Sequence, residues 1–491
     1  MNVLFIYSLQ EIQSMRKPLR SQELIQLGIS SISAVLKEHK HATKVVVLSR
    51  ENSNANNLMI VQNAMEAFRP QLLCFSAVSS EYPFIASIAS QIKNRHPKLY
   101  SLIGGVHASL KPDEVIKDSF DALCIGEGEY PTLELIQSLE RNEIPACIES
   151  LWLKHEHGIE KNRIRPYIEN LDSLPFLDRA LWQEWIEERQ DSQHSILLGR
   201  GCPFECSYCS NHALKKIAPG QYVRLRSVDN ITKELRKIAE DFPHNRNAYL
   251  EIETFYVNKE WAIELCKQLA ALNASLNEPF RFGVNLRITP NTDYDELFRE
   301  CRKSNFRFIN IGLESGSEKI RKDVLRRIYS NNDVIKTVTT ARRHNLQVAF
   351  YNIIGLPGET FEDFQETKRI NRTCQPDWMM TSIFFPYPGT DLYELSKQKG
   401  YFQGSLDTQM ERSKAVLSLP HFPGKQIQKA YEWFYFDVYK GHKPLQVLLL
   451  RVFTLKLRKF PKLFGIYRAI SRSGASKKLK SFLEQKGLWK Q

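Results

Sequence analysis

Several features that place a chain in or across a membrane are absent from this sequence of 491 residues. No uninterrupted apolar run reaches the roughly 20 residues that a bilayer-spanning helix needs. The first residues, MNVLFIYSLQ, have neither a basic stretch nor a small-residue cleavage site, so they predict a buried strand and no signal peptide. The nine cysteines, without a secretion signal, indicate reduced thiols and a cytoplasmic location.

Most of the chain also lacks an excess of either charge. From Lys440 to the end there are 14 lysines and arginines against one acid, Glu484, which accounts for the whole net charge of +13. The preceding residues are therefore neutral overall, and a nucleic-acid partner is not indicated.

The basic tail contains a candidate amphipathic helix, PLQVLLLRVFTLKLRKF (444–460). An apolar stripe runs along one face, and basic residues lie on another; the stripe is Leu445, Leu448, Leu449, Val452 and Leu455, and the basic residues are Arg451, Arg458 and Lys462. The later SKKLK (476–480) and the final lysines would add attraction to anionic lipid. This pattern predicts either peripheral contact with a membrane surface or a helix packed on the protein body.

Apolar runs alternate with helical patterns over residues 1–140. The runs are NVLFIY (2–7), KVVVL (44–48), QLLCFSA (71–77), LYSLIGG (99–105) and DALCIGEGE (121–129). Such βα repeats predict a doubly wound parallel sheet, which binds ligands beyond the carboxyl ends of its strands. Polar and glycine residues fall at these ends: Ser76, Gly104, Gly105, His107 and Glu127.

A linker is predicted over residues 141–194, followed by a second βα series over residues 195–400. Six strand patterns in this series predict a partial (β/α)6 barrel of the TIM type, with its chemistry at the carboxyl ends of the strands. Residues 401–491 are predicted to form a helical, basic C-terminal region.

Three cysteines follow the first strand of the second series, in GRGCPFECSYCSN (199–211). Cys202, Cys206 and Cys209 have the spacing C-x3-C-x2-C, and closely spaced thiolates select zinc or an iron–sulfur cluster. Structural zinc takes four ligands, which His194 or His212 could complete, so zinc stays open. Three cysteines on a [4Fe–4S] cluster would leave one iron free to bind a substrate or cofactor.

Placed after the first barrel strand, the cysteine motif resembles that of the radical S-adenosylmethionine superfamily. Further segments resemble the branch with an N-terminal cobalamin-binding domain: GLESGS (312–317), GLPGET (355–360), PYPGTDLY (386–393) and IGGVHASLKPDEVIKDSFDALCIGEGEYPTLELI (103–136). The resemblance covers roughly residues 1–400 and implies a flavodoxin-like cobalamin domain before the barrel. The motif D-x-H-x-x-G, from which many cobalamin domains supply a cobalt ligand, does not occur in the sequence.

The resemblance implies roles for individual residues. Cys202, Cys206 and Cys209 would hold a [4Fe–4S] cluster. The S-adenosylmethionine contacts would be Tyr208, Glu253 with Thr254, Arg287, Glu314 and Ser315. The cobalamin contacts would be Ser76, Gly104, Gly105, His107 and Glu127. Alternatively, Glu314 or Arg287 forms a buried ion pair, and the first domain is a flavodoxin-like fold with an empty cleft.

The implied activity is reductive cleavage of S-adenosylmethionine, with methyl transfer to an unactivated carbon of a small-molecule or lipid-like substrate. Radical cyclisation or rearrangement without methyl transfer is the alternative enzyme reaction. An iron–sulfur or cobalamin sensor is the alternative from another class, and a nucleic-acid-modifying enzyme is disfavoured by the neutral body. The implied electron donor is a ferredoxin or flavodoxin.

Overall fold

The computed structural model describes residues 1–10, 17–187, 192–404, 406–408, 410–460, 463–465 and 467. These residues form two α/β units followed by a helical region.

The first unit is built on one sheet. Its strands are β1 (Asn2–Leu9), β2 (Ala42–Ser49), β3 (Leu72–Ser76), β4 (Tyr100–Gly104), β5 (Ala122–Cys124), β6 (Leu151–His155) and β7 (Gly158–Lys161). Its helices are α1 (Leu27–Glu38), α2 (Asn54–Phe68), α3 (Tyr82–Arg95), α4 (Val106–Leu110), α5 (Pro112–Val115) and α6 (Glu129–Glu140). The strand order is β2-β1-β3-β4-β5-β6-β7, and the first five strands are parallel.

Burial on both faces explains why these strands read as continuous apolar runs. Val3 and Phe5 pack in the core on one face of the sheet, while Leu4 and Ile6 pack in the core on the other. The order 2-1-3-4-5 of the parallel strands is that of flavodoxin-like sheets, so the predicted doubly wound fold is confirmed.

Within residues 141–194, predicted as a linker, two strands and a 3₁₀ helix instead belong to this unit. β6 and β7 extend the sheet by antiparallel pairing. The 3₁₀ helix Ala180–Trp185 carries Trp182, whose side chain is fully buried and whose Nε1–H donates to Ser30 Oγ at 2.8 Å. The hairpin was not predicted because its strands are only five and four residues long, so the apolar alternation is correspondingly brief.

The second unit contains a six-stranded parallel sheet. Its strands are β8 (His194–Leu197), β11 (Asn247–Glu251), β12 (Arg281–Leu286), β13 (Phe306–Glu314), β14 (Gln347–Ile354) and β15 (Trp378–Ile383), with the short strands β9 (Gly199–Arg200) and β10 (Arg224–Leu225) between the first two. Its helices are α7 (Ser210–Leu214), α8 (Val228–Asp241), α9 (Lys259–Ala274), α10 (Asp295–Lys303), α11 (Asn331–Arg343), α12 (Phe361–Cys374) and α13 (Asp391–Gln398). The six strands run in sequence order from β8 to β15, which is the predicted partial barrel.

Two helices follow, α14 (Gly424–Tyr439) and α15 (Leu445–Leu457). α14 packs against α12 and β15, and α15 packs against α14. Across the described residues, no helix is both long enough and apolar enough to cross a membrane. Lys462, SKKLK and the final lysines of the sequence-based prediction lie outside the described residues.

Candidate cofactor site

The cysteine loop is held at both ends by a small antiparallel sheet. Arg200 and Gly199 of β9 pair with Arg224 and Leu225 of β10. Gly201 follows with φ at 86°, and a Cβ there would lie only 2.1 Å from the Tyr222 carbonyl oxygen. Glycine is therefore required where the chain turns into the loop.

The three cysteines lie in one short loop, which makes a turn from Cys206 to Cys209. The Cys209 N–H donates to the Cys206 carbonyl at 3.1 Å, and Cys209 interacts electrostatically with both other thiols. The backbone N–H groups of Phe204 and Asn211 donate to the sulfurs of Cys202 and Cys209. Burial raises the pKa of Cys202 to about 11 and that of Cys209 to about 12, so metal binding would be needed to ionise them at neutral pH.

The donor set fits an iron–sulfur cluster better than a single zinc ion. Within the described ranges, no three His, Cys, Asp or Glu side chains converge closely enough to hold one metal ion together. His194 lies at the start of β8 and packs against Phe242 at 5.0 Å, whereas His212 faces Asp391 at 3.5 Å. Three cysteines in one loop, two of whose sulfurs accept backbone N–H groups, are the ligands expected of a cluster.

Arg287, predicted to bind the carboxylate of S-adenosylmethionine, reaches the cysteine loop directly. Its guanidinium lies 3.7 Å from the centre of the Phe204 ring and donates a hydrogen bond to Cys206 Sγ. The side chain is 9% exposed, so this cation lies beside the thiols in a site largely closed to water. Neither Phe204 nor this pairing was predicted from the sequence.

Glu253 and Thr254, which are adjacent in the sequence, have different surroundings and different roles. The Glu253 carboxylate lies close enough to Cys202 and Cys209 to act on their pKa, and its side chain is exposed. Thr254 is buried, and its Oγ1 accepts the Arg287 backbone N–H at 3.1 Å. Glu253 is therefore available to a ligand beside the cysteines, whereas Thr254 joins the ends of two neighbouring strands.

Glu314 forms the buried ion pair that the sequence left open as an alternative. Its carboxylate lies 3.3 Å from the Arg327 guanidinium, and Glu314 itself has φ at 59°. A Cβ at Gly312 would lie 2.4 Å from Glu314 Oε1, so glycine makes room for this carboxylate. Arg327 also lies 6.0 Å from the Tyr208 ring, which connects the ion pair to the cysteine loop.

Ser315 is withdrawn from solvent, and Tyr208 is half-buried. Ser315 is fully buried, with its Oγ 3.3 Å from Thr367 Oγ1 and accepting the Ser317 N–H at 3.2 Å. Burial raises the pKa of the Tyr208 hydroxyl well above its usual value. The Ser315 hydroxyl thus has protein partners, and Tyr208 presents a neutral aromatic ring beside the thiols.

The carboxyl edge of the first sheet borders a cavity of about 320 Å³. Ser76, Gly104, Gly105 and Glu127 line it, together with apolar residues of β1 and α1. Gly105 has φ at 97°, and a Cβ there would lie 2.9 Å from the Ala77 carbonyl oxygen. A mostly apolar cavity beside glycine backbone fits the approach of a bulky cofactor tail, so the donors present are compatible with cobalamin.

His107 does not line this cavity. Its ring stacks on Tyr82 with 4.2 Å between centroids, and Nδ1 lies 3.1 Å from Ser79 Oγ. Burial lowers the pKa of His107 to about 4, which keeps the ring neutral. His107 therefore packs in the first turn of α4, and its role as a cobalamin contact stays a prediction.

Glu127 lines the cavity, but its carboxylate is committed to the other unit. Arg200 and Arg224 donate to it at 2.7 Å and 2.9 Å, and the Ile168 N–H donates at 2.8 Å. Arg200 also donates to Glu129 at 2.6 Å. Sequence reasoning missed both arginines, although Arg200 lies two positions before Cys202.

A second cleft, of about 340 Å³, lies between the two units. From the first sheet it is lined by Tyr7–Gln10, Val78–Glu81, Val106 and Leu110; from the second unit it is lined by Ser210, Tyr387, Pro388, Glu411 and Arg412. Ser210 directly follows Cys209. The carboxyl edge of the first sheet and the cysteine loop therefore face a shared space.

Two family models match the chain in this same order. The B12 binding domain matches residues 20–136, and the radical SAM superfamily matches residues 196–370. The chain therefore belongs to the cobalamin-binding radical S-adenosylmethionine enzymes.

Relatives carry two different activities in their names. An uncharacterized methyltransferase of Pyrococcus horikoshii is 24% identical, with 85% of this chain and 88% of that protein covered. An anaerobic magnesium-protoporphyrin IX monomethyl ester cyclase of Cereibacter sphaeroides is 26% identical, with 61% of this chain and 48% of the cyclase covered. The chain thus spans most of the first relative and about half of the second.

The fold is shared with a solved structure that carries both cofactors. TsrM, a radical S-adenosylmethionine methyltransferase from Kitasatospora setae with cobalamin and a [4Fe–4S] cluster bound, superposes with a TM-score of 0.63 at 14% identity. The match covers 82% of this chain and 76% of TsrM.

Proposed function

We propose that this protein is a cobalamin-dependent methyltransferase that uses S-adenosylmethionine as its source of both methyl group and radical. The observation that carries the proposal is the cleft between the units, because residues that follow strands of the first sheet and Ser210, which directly follows Cys209, both line it. Methyl transfer to an unactivated carbon needs a methyl donor and a hydrogen-abstracting radical within reach of the same substrate atom.

The residues of this chain would hold and orient the cofactors. Cys202, Cys206 and Cys209 would ligate the cluster, and Ser76 with Gly104 and Gly105 would border the cobalamin. When bound, the cluster supplies the electron that cleaves S-adenosylmethionine, and cobalamin carries the methyl group. A ferredoxin or flavodoxin would supply that electron to the cluster.

The residues proposed to contact S-adenosylmethionine differ in how exposed they are. The exposed Glu253 carboxylate would accept hydrogen bonds from its amino group beside the cysteines. Arg287 would place a positive charge beside its carboxylate, and Tyr208 an aromatic face beside its adenine. Glu314 and Ser315 would support the site through Arg327 and Thr367.

The substrate would be a small molecule or lipid-like compound held between the two cofactors. A cyclase or rearrangement enzyme is the second candidate, favoured by the identity to the Cereibacter sphaeroides cyclase. Peripheral membrane contact through the basic tail is a separate part of the proposal.

Anaerobic reconstitution with iron, sulfide and cobalamin tests the function. After addition of S-adenosylmethionine and a strong reductant, 5′-deoxyadenosine and S-adenosylhomocysteine are measured with the retained corrin. Methyl transfer predicts both nucleoside products, whereas cyclisation or rearrangement predicts 5′-deoxyadenosine without S-adenosylhomocysteine. Cys206→Ala should abolish 5′-deoxyadenosine, and the exposed Cys147→Ala should leave it unchanged. Zinc in place of iron would overturn the proposal.

A further inference from the structure

The described residues leave one apolar face of α15 largely exposed. All of its 13 residues except Gln446, Arg451, Thr454 and Lys456 are apolar. The side facing α14 is buried and consists of Leu448, Val452 and Leu455. A second row consists of Leu445, Leu449 and Phe453, which are 57%, 46% and 54% exposed.

The apolar stripe predicted from the sequence combined residues of the buried row with residues of the exposed row. Residues four apart lie above one another on a helix, so Leu445, Leu449 and Phe453 form a continuous surface. Beyond the helix, Phe460 and Leu463 add side chains that are 59% and 54% exposed. A surface helix normally has a polar outer side, and a clustered apolar surface on a folded protein marks an interaction site.

Positive charge surrounds this row. Arg451, Lys456 and Lys459 are exposed on the same segment, within a tail that carries the entire net charge of +13. We propose that the exposed row of α15 docks on an anionic lipid surface, with the helix lying parallel to the bilayer. This combination of apolar insertion and basic flanks is how interfacial helices bind.

The dimensions and charge exclude other arrangements for this face. Thirteen residues of helix extend about 20 Å, which is too short for the roughly 30 Å hydrocarbon core, so the helix cannot span it. A second copy would bring two strongly basic tails together, and like charges repel. RNA would pair with the charges but would leave the aliphatic row without a partner.

Vesicle sedimentation of the full-length protein tests the proposal without reference to catalysis, so its outcome is distinct from that of the proposed function. We expect about tenfold more binding to vesicles of 30% phosphatidylglycerol in phosphatidylcholine than to phosphatidylcholine alone, and weaker binding at 0.5 M than at 0.1 M NaCl. The double variant Leu449→Ser and Phe453→Ser should lose most of this binding.

The matched control removes two exposed apolar residues elsewhere, Met59→Ser and Ile144→Ser, and should bind like the wild type. Circular dichroism melts check that both double variants are folded. Binding unaffected by Leu449→Ser and Phe453→Ser would overturn the proposal. Absence of vesicle binding would also overturn the proposal. Self-association in sedimentation velocity would then identify a second copy as the occupant of this face, and binding to polyuridine would identify RNA. If neither is observed, the chain's own remaining residues cover the face.

Discussion

Arg200 joins the two units, and its replacement should lower the free energy of unfolding by an amount that can be estimated from the burial of its partners. Arg200 donates to Glu127 at 2.7 Å and to Glu129 at 2.6 Å, and the Glu129 side chain is only 3% exposed. Arg200→Met leaves Glu129 without its cation, while Glu127 keeps Arg224. Removing one partner of a buried pair costs about 3–5 kcal/mol because the remaining charge is uncompensated.

A loss of about 3 kcal/mol corresponds to a melting temperature lower by about 6–12 °C for a cooperative unit of 150–250 residues. Scanning fluorimetry on the anaerobic protein measures it. The matched control is Arg141→Met, which removes an ion pair whose side chains are 57% and 54% exposed. Exposed pairs contribute about 0–1 kcal/mol, so this variant should melt within about 2–4 °C of the wild type.

The difference in stability between the wild type and the Arg200→Met variant should depend on pH. Although burial alone raises the pKa of Glu127, the neighbouring Arg200 and Arg224 hold it below its usual range. A carboxyl with a lowered folded pKa stabilises the fold above its unfolded pKa, and this contribution is lost as the pH falls through the folded pKa. The variant lacks part of this contribution, so its deficit should stay constant from pH 7.5 to pH 5 and shrink only as the pH falls below about 4.5.

Glu129→Gln combined with Arg200→Met should recover part of the lost stability, since no buried charge then stands alone at position 129. An Arg200→Met variant that melts like the wild type, or whose deficit at about pH 3 is as large as at pH 7.5, would refute the assigned ion pairs.

Three further outcomes are expected. Gly105→Val should reduce the corrin retained by the protein, measured by absorbance, about tenfold or more, because even a Cβ at this position meets the Ala77 carbonyl at 2.9 Å. The control is Gly158→Val, at a glycine with open space around it. Burial raises the pKa of Glu359 to about 8, so wild-type stability should fall as the pH rises from about 4.5 toward 8, and Glu359→Gln should flatten this slope in pH-dependent melts. Thr254→Val should cost about 1–3 kcal/mol in unfolding free energy, because the buried Arg287 N–H loses its acceptor.

Local patterns were sufficient to predict most of the two sheets. The continuous apolar run at β1 and the later strand runs reflect burial on both faces, which is a property of each segment by itself. The cysteine spacing is equally local, and the structure places all three cysteines in one loop that turns at Cys206–Cys209. The β6–β7 hairpin was missed because its stability comes from pairing with β5, which its own sequence does not reveal.

The roles of polar residues depended on partners distant in sequence. Glu127 and His107 both follow strands of the predicted cobalamin edge, so position alone gave them the same role. Their roles differ because of contacts with residues distant in sequence. Glu127 forms an inter-unit ion pair with Arg200, 73 positions away, whereas the His107 ring packs on Tyr82, 25 positions away. On α15, helical periodicity gave the apolar positions, but only contact with α14 distinguished the covered row from the exposed one.

The inter-unit ion pairs also bear on how the proposed cofactors would be positioned. Arg200 ends the strand that leads into the cysteine loop, and Arg224 begins the strand that leaves the loop region. Both converge on Glu127, which lies where the cavity of the first sheet begins. A displacement of this carboxylate would therefore move the cysteine loop relative to the cobalamin edge. In such an enzyme the reacting atoms must approach within a few ångströms, so three charged side chains would help set the distance on which the chemistry depends.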